Sequence, residues 1–447
     1  MSYYFKYIPF FALLLLLLSS CNNQGESNID ISSDNYHMLY DKLTEIMIND
    51  VYSPPVASRV YVYPNIAAYE VLAANSDNLK SLGYSLDGLN ASPGVNGDEV
   101  NLKLAAILAY LDVAKELVFS KNRILSYSDS LNVLWRKKNK TQFEVSRDYA
   151  VLVSNEIKKW MGSDNYRETR SMPKFNIDYT DTSRWVPTPP AYMDGIEPHW
   201  NKIRSFCLDS SSQFKPPKHP VFDLTEGSEF YKELYEVYSI TNRINQKGDE
   251  SEEVKVAKFW DCNPFVSVNR GHYMFSVKKI SPGAHWIGIC KIACQDNGYD
   301  FEDTVYAYTK TTIAITDAFI SCWDEKYRSN LIRPETLINS QIDENWLPLL
   351  QTPPFPEYTS GHSVVSAAAS TTLSSIFGED YDFVDTTEIE FGLPARHFES
   401  FDSAAREAAI SRVYGGIHYR SAVENGFTQG LKVGNQVLEK LSFMKAD

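Results

Sequence analysis

An all-α fold is predicted by three features of the chain. Apolar residues recur at three- and four-residue spacing over most of its length, the period of a helix with one buried face. Alternating strand-like stretches are few and short, and no fixed-period repeat is present. The main interruption is a proline-rich stretch from about Pro173 to Val221, which leaves long helical runs on either side. Long helices joined by short loops imply a bundle.

The composition agrees. Of 447 residues, 43% are hydrophobic and 22% charged, too apolar for a disordered chain and ample for a core. The formal charge of −14 supplies no basic stripe for a nucleic-acid backbone, so nucleic acid is not an expected partner. It leaves room for a small anion pocket.

Residues 1–20 read as a signal peptide: Lys6 gives a weakly basic start, and the apolar run Phe10 to Leu18 is too short to span a bilayer comfortably. Leu18-Ser19-Ser20-Cys21 resembles a bacterial lipoprotein box. Acylated Cys21 would then be the mature N-terminus, each buried methylene adding about 0.8 kcal/mol of membrane anchoring. The expected location is exported, as a periplasmic or cell-surface lipoprotein of a Gram-negative bacterium, with residues 21–32 as a polar tether.

An N-terminal helical half is expected over 33–172. Tyr36 to Ile48 is periodic, Pro54-Pro55 opens a helix ending before Gly83, Asp98 caps Glu99 to Phe119, and Phe143 to Met161 follows. The crossing 173–221 holds Trp185, Trp200 and the prolines, and its aromatics suggest packing on the body. The C-terminal half, 222–447, carries helices over Glu229 to Ile244, Thr304 to Trp323, Ser363 to Phe377, Ser403 to Val413 and Asn425 to Leu441. The cysteines after Cys21 (207, 262, 290, 294 and 322) are odd in number and scattered, like small buried hydrophobes; Cys290 and Cys294 suit one helix face. His37, His199, His219, His272, His285 and His397 show no metal-ligand spacing and read as surface or structural imidazoles.

Phosphate loops, dinucleotide glycine fingerprints, HExxH pairs and nucleophile elbows are absent. Three segments in the last 125 residues carry the chemistry instead. In Lys326-x6-Arg333-Pro334, two cations seven residues apart suit one helical face about 10 Å apart along its axis, with Pro334 stopping or bending the helix. In Ser360-Gly361-His362, Ser360 is a candidate N-cap, Gly361 leaves its amide uncovered for an anion, and His362 stands in the first turn ready to move a proton. In Ser411-Arg412-x5-His418, Arg412 adds a third cation, and His418 follows the Gly415-Gly416 pair. Singly, each is a common surface or capping pattern; their order carries the signal.

That order resembles the signature of the superfamily uniting type 2 phosphatidic acid phosphatases with vanadium-dependent haloperoxidases. The resemblance implies a pocket for phosphate or vanadate, its oxygens held by Lys326, Arg333, Arg412, Ser360 and the Gly361 amide. It implies His418 as the vanadium ligand, or as the nucleophile of a phosphatase passing through a phosphohistidine, and His362 as the acid–base group. Trp323 and Phe355 match aromatic positions near the halide site of the haloperoxidases, with Phe265 of the Asn263-Pro264-Phe265 turn as a further wall. These aromatics, Pro353-Pro354-Phe355-Pro356 and the length favour the peroxidase branch, most like the bacterial iodide-oxidising members of marine flavobacteria. The cofactor would be vanadate and the substrates hydrogen peroxide and halide, iodide before bromide. An exported acid phosphatase and a non-catalytic anion-binding lipoprotein are the alternatives. One departure bears on both catalytic readings, the phosphatase slightly more: the family's Asp four residues after the last His is Ala422 here, with Glu424 as a substitute in sequence.

Overall fold

A computed structural model describes residues 27–95, 99–264, 267–270, 273–276 and 279–441. Cys21, the signal stretch, Asp98, Phe265 and His272 lie outside them.

The first helix, α1 (Ser33–Asp50), is closed by a left-handed Val51. In α2 (Pro54–Ala73) the two prolines occupy the positions where missing amide hydrogens cost least, and the helix is buried on every side. α3 (Leu102–Leu117) begins three residues later than expected because Asn101 is its cap, accepting from the Leu104 amide at 3.0 Å. Next come α4 (Lys121–Lys138), α5 (Lys140–Met161) and the single turn α6 (Tyr166–Thr169). α4 was not expected: only Ile124 and Trp135 are buried on it, so its periodic signal is faint.

From 173 to 221 the one helical turn is Trp200–Lys202, and Trp185 and Trp200 are wholly buried. This segment lies against the link after residue 329: Trp185 N donates to the Asn330 carbonyl, and Ile332 N to the Ser183 carbonyl, both at 3.0 Å.

The chain continues through α7 (Glu229–Lys247), α8 (Glu252–Phe259), the hairpin β1 (Ser267–Arg270) with β2 (Tyr273–Ser276), and α9 (Pro282–Asp296). The central helix α10 (Phe301–Ser329) starts at the Asp300 cap, which accepts from the Asp303 amide at 2.9 Å. After it come α11 (Pro334–Gln341), α12 (Gly361–Phe377) and the hairpin β3 (Phe383–Asp385) with β4 (Arg396–Phe398). The last two helices are α13 (Phe401–Tyr414) and α14 (Arg420–Lys440).

α12 is the hub, packed by α10, α13 and α14, while α10 also touches α2. The main hydrophobic core draws on residues from Ile29 to Leu441, with two smaller apolar clusters beside it. All five cysteines in the described residues are buried thiols. No described helix is long and apolar enough to cross a membrane.

One local expectation fails. Lys326 and Arg333 do not share a helix: α10 stops at Ser329, Asn330 is left-handed at φ 49°, and Arg333 is the extended N-cap residue of α11. Asn tolerates that conformation better than most residues, and Pro334 begins the next helix instead of ending the last.

Candidate active site

Four helix ends converge on one buried volume: the C-terminal turn of α10, the start of α11, the N-terminus of α12 and the end of α13. Ser360 caps α12 by accepting from Ser363 N at 3.3 Å, and its own amide donates to the Ala422 carbonyl at 3.0 Å. A β-carbon at Gly361 would meet only the Trp323 ring, at 3.6 Å, so the bare glycine leaves space beside its amide.

The three cations converge although they come from separate elements. Lys326 and Arg333 are completely buried and Arg412 is 1% exposed. Phe355 lies between the first two, its ring centre 5.0 Å from Lys326 Nζ and 5.1 Å from the Arg333 guanidinium carbon. Lys326 donates to the carbonyls of Pro356 (3.1 Å), Glu357 (3.0 Å) and Thr359 (2.5 Å). Its three hydrogens are thereby committed to the loop before α12, and it acts on the pocket through its field. Burial pushes it down to about 7. Arg333 Nε donates to Phe355 O at 2.9 Å and Nη1 to Ile417 O at 2.8 Å, while Nη2 is buried without a partner. Arg412 Nη2 donates to the Trp260 carbonyl at 2.7 Å, and burial lowers its affinity for its proton as well.

His418 Nδ1 stands 2.7 Å from Glu357 Oε1, which also accepts from the Tyr419 amide at 3.0 Å. With Glu357 ionised, Oε1 accepts from the ring as well as from the Tyr419 amide, which puts the ring proton on Nδ1. Nε2 then accepts from Arg333 Nη1, 3.2 Å away. Burial and the charges of Arg333, Lys326 and Arg412 hold His418 well below the usual imidazole range, hence neutral. His362 is lowered likewise, first by burial and then by Arg412, and its Nε2 has no partner.

Glu357 answers the departure at 422. Glu424 is an exposed residue of α14 facing Arg420 at 3.7 Å, so it does not substitute for the missing aspartate. Ala422 is wholly buried in an apolar cluster with Tyr358 and Tyr419. Glu357 was missed as a site residue, although it lies three before Ser360 and has no exposed surface. Ser363 was missed too: it is fully buried and its Oγ lacks a partner.

The Trp323 and Phe355 rings pack at a tilt with centroids 5.0 Å apart and, with Phe319, wall a small cavity of about 40 Å³. Gly361, His362 and Arg412 line it; Lys326, Arg333, Ser360 and His418 lie outside its lining. Phe265 is outside the described residues.

Unpartnered donors on Arg333 and Ser363, an open helix N-terminus and a directed imidazole lone pair define an oxyanion site with a coordination position. The donor set fits vanadate: hard oxygens meet cations and N–H groups, and vanadium meets a neutral imidazole. The comparisons with known proteins agree with that class. Residues 307–445 match the model of the VCPO second helical-bundle domain. The crystal structure of the first bacterial vanadium-dependent iodoperoxidase is similar at 55% identity and a TM-score of 0.91, covering 94% of this chain and 99% of that one. A holo-type bacterial vanadium-dependent chloroperoxidase shares the fold at 17% identity and a TM-score of 0.66, covering 93% and 98%. No curated protein sequence matches. The chain belongs to the vanadium-dependent haloperoxidase family.

Proposed function

We propose that the chain oxidises halide, iodide foremost, with hydrogen peroxide, using vanadate held at His418. The carrying observation is the placement of that ring, with Nδ1 2.7 Å from Glu357 Oε1 and Nε2 3.2 Å from Arg333 Nη1. Vanadate supplies Lewis acidity, polarising peroxide toward a halide nucleophile without changing its own oxidation state. Arg333 Nη2, Ser363 Oγ, Ser360 and the α12 amides would hold its oxygens, and Lys326 and Arg412 would balance their charge. His362 is neutral with an unpartnered Nε2, so it can take the proton that peroxide gives up. Trp323, Phe355 and Phe319 offer an apolar wall to a soft anion that costs little to desolvate, which with the 55% identical iodoperoxidase supports iodide.

Export and anchoring through Cys21 are part of the same proposal and rest on residues 1–21 of the sequence. Cys21→Ser is expected to move the protein from the membrane fraction to the soluble one; an unchanged distribution refutes the anchor.

Activity is tested on the form lacking residues 1–21, following triiodide from iodide and hydrogen peroxide. Turnover is expected only after orthovanadate is added to metal-free protein, and is expected to vanish in His418→Ala. Vanadate binding without iodide oxidation would overturn the reading, and the same sample tried on phosphomonoesters would then identify a phosphatase.

A further inference from the structure

Beside the anion pocket, a second cluster brings together side chains that the halide chemistry does not use. Cys262 follows α8, His285 lies in the first turn of α9, and Glu388 follows β3. His285 Nδ1 is 3.4 Å from Cys262 Sγ and 3.4 Å from Glu388 Oε1. The sulfur, nitrogen and oxygen all lie within 4.8 Å of one another, and all three residues are buried. Among the described residues this is the one such group of metal-ligating side chains.

We infer that Cys262, His285 and Glu388 form a binding site for a zinc-type divalent cation. Zinc bonds of about 2.0–2.3 Å at tetrahedral angles set neighbouring ligand atoms about 3.3–3.6 Å apart, which is where the sulfur and oxygen stand around Nδ1. An imidazolium hydrogen-bonded to Glu388 would draw the oxygen to about 2.7–2.9 Å, and 3.4 Å is long for that bond. The far side of the ring is arranged as at a metal-ligating histidine: Nε2 is 2.7 Å from Asp385 Oδ2. Asp385 is held in turn, its Oδ1 accepting from Thr387 N at 2.9 Å and Thr387 Oγ1 at 2.7 Å. A thiolate, an imidazole and a carboxylate are the mixed donor set of zinc, and three protein ligands leave one tetrahedral position for water. On binding, the thiol proton and the Nδ1 proton leave as the cation enters, so the site exchanges two protons for two positive charges.

The ion joins three separate elements next to the oxyanion. Cys262 lines the same cavity as His362. The His285 ring stacks on Trp260 with centroids 4.5 Å apart, and the Trp260 carbonyl is one of the acceptors that hold Arg412, with the Ala257 carbonyl and Ser411 Oγ. The cation is therefore a staple for the wall that carries one of Arg412's partners.

The test uses the full chain purified without vanadate. Metal content after exposure to zinc is expected to be one ion per chain, lost in Cys262→Ser and Glu388→Gln. Asp385→Asn is expected to weaken zinc by about 10- to 100-fold while keeping the three ligands. Cobalt(II) in place of zinc is expected to give a thiolate charge-transfer band in the near ultraviolet that Cys262→Ser lacks. A wild-type protein with neither stoichiometric zinc nor that band overturns the site, as does zinc retained undiminished by both ligand variants. If a variant fails to fold, the wild-type cobalt spectrum decides alone. Because metal content is read without vanadate or halide, zinc binding and iodide oxidation succeed or fail separately.

Discussion

At position 422 an alanine stands where the family signature has an aspartate, and the surroundings explain the exchange. The position faces Tyr358 and Tyr419 in an apolar cluster, where a carboxylate would be buried without a partner. The carboxyl group that partners His418 Nδ1 comes instead from the loop before α12, on Glu357. Burial raises Glu357 to about 8 even though Arg333 and Lys326 pull it down, so its affinity for its proton is finely balanced beside the imidazole. Glu357→Gln keeps the size of the side chain and removes its ability to ionise beside His418. The expected result is a folded protein whose vanadate affinity falls about 10- to 100-fold, read by titrating metal-free enzyme with orthovanadate and following triiodide. Unchanged affinity would mean that Glu357 is a structural acceptor only. The role of Glu357 was hidden in the sequence because it depends on a contact between residues 61 apart.

Among the elements, the pairing of α12 with α14 sets where the oxyanion pocket opens. Gly426, Gly430 and Gly434 recur every four residues on α14 and let it approach α12 at backbone distance. A β-carbon at Gly430 would fall 2.2 Å from the Val364 carbonyl oxygen, and no rotamer relieves a clash with backbone. Alanine's better helix propensity returns about 1 kcal/mol, but overpacking costs about 1–3 kcal/mol, and a rigid neighbour puts this site at the upper end. Gly430→Ala is expected to lower the urea midpoint by an amount equal to about 2 kcal/mol and to lower vanadate-dependent turnover, because α12 carries Ser360, Gly361 and His362. Gly162→Ala, at an ordinary helical φ with its nearest atoms 3.4 Å away, is the near-neutral control. Helices with one apolar face, such as α5 and α14, were legible in the sequence because the period itself is the signal. The solvated α4 was not, and the break between Lys326 and Arg333 was not, since it turns on a left-handed Asn330 within a motif otherwise suited to continuing the helix. The three motif segments were legible because each is local. The zinc-type cluster was not, because Cys262, His285 and Glu388 meet only after the chain has folded.

For the whole molecule, the pocket is a charge imbalance waiting for an anion: three buried cations meet in a chain whose net charge is −14. Burying cations without an anion is unfavourable, so a tetrahedral dianion that binds only the folded state should stabilise the entire protein. At a concentration of 100 Kd the gain is about 2.7 kcal/mol, which for a chain of this size is a rise of a few degrees in Tm. Its pH dependence follows from the buried groups. Lys326 is pushed down to about 7, so the anion-free site loses positive charge as pH rises through that value. Glu357, pushed up to about 8, gains negative charge just above it. The two changes have the same sign, and both weaken anion binding as pH rises. His362 and His418 are held well below their ordinary range, so they stay neutral across the window and do not oppose the trend. Sulfate is the probe of choice because its own charge is constant there. The Tm gain at a fixed sulfate concentration is expected to be larger at about pH 6 than at about pH 8.5, with affinity falling at most about tenfold per pH unit for each linked proton. Arg333→Leu, which removes the unpartnered donor, is expected to abolish the gain at both values. A gain that is flat with pH would show that Lys326 keeps its proton and Glu357 its charge state throughout, so that all three cations hold the anion at both values.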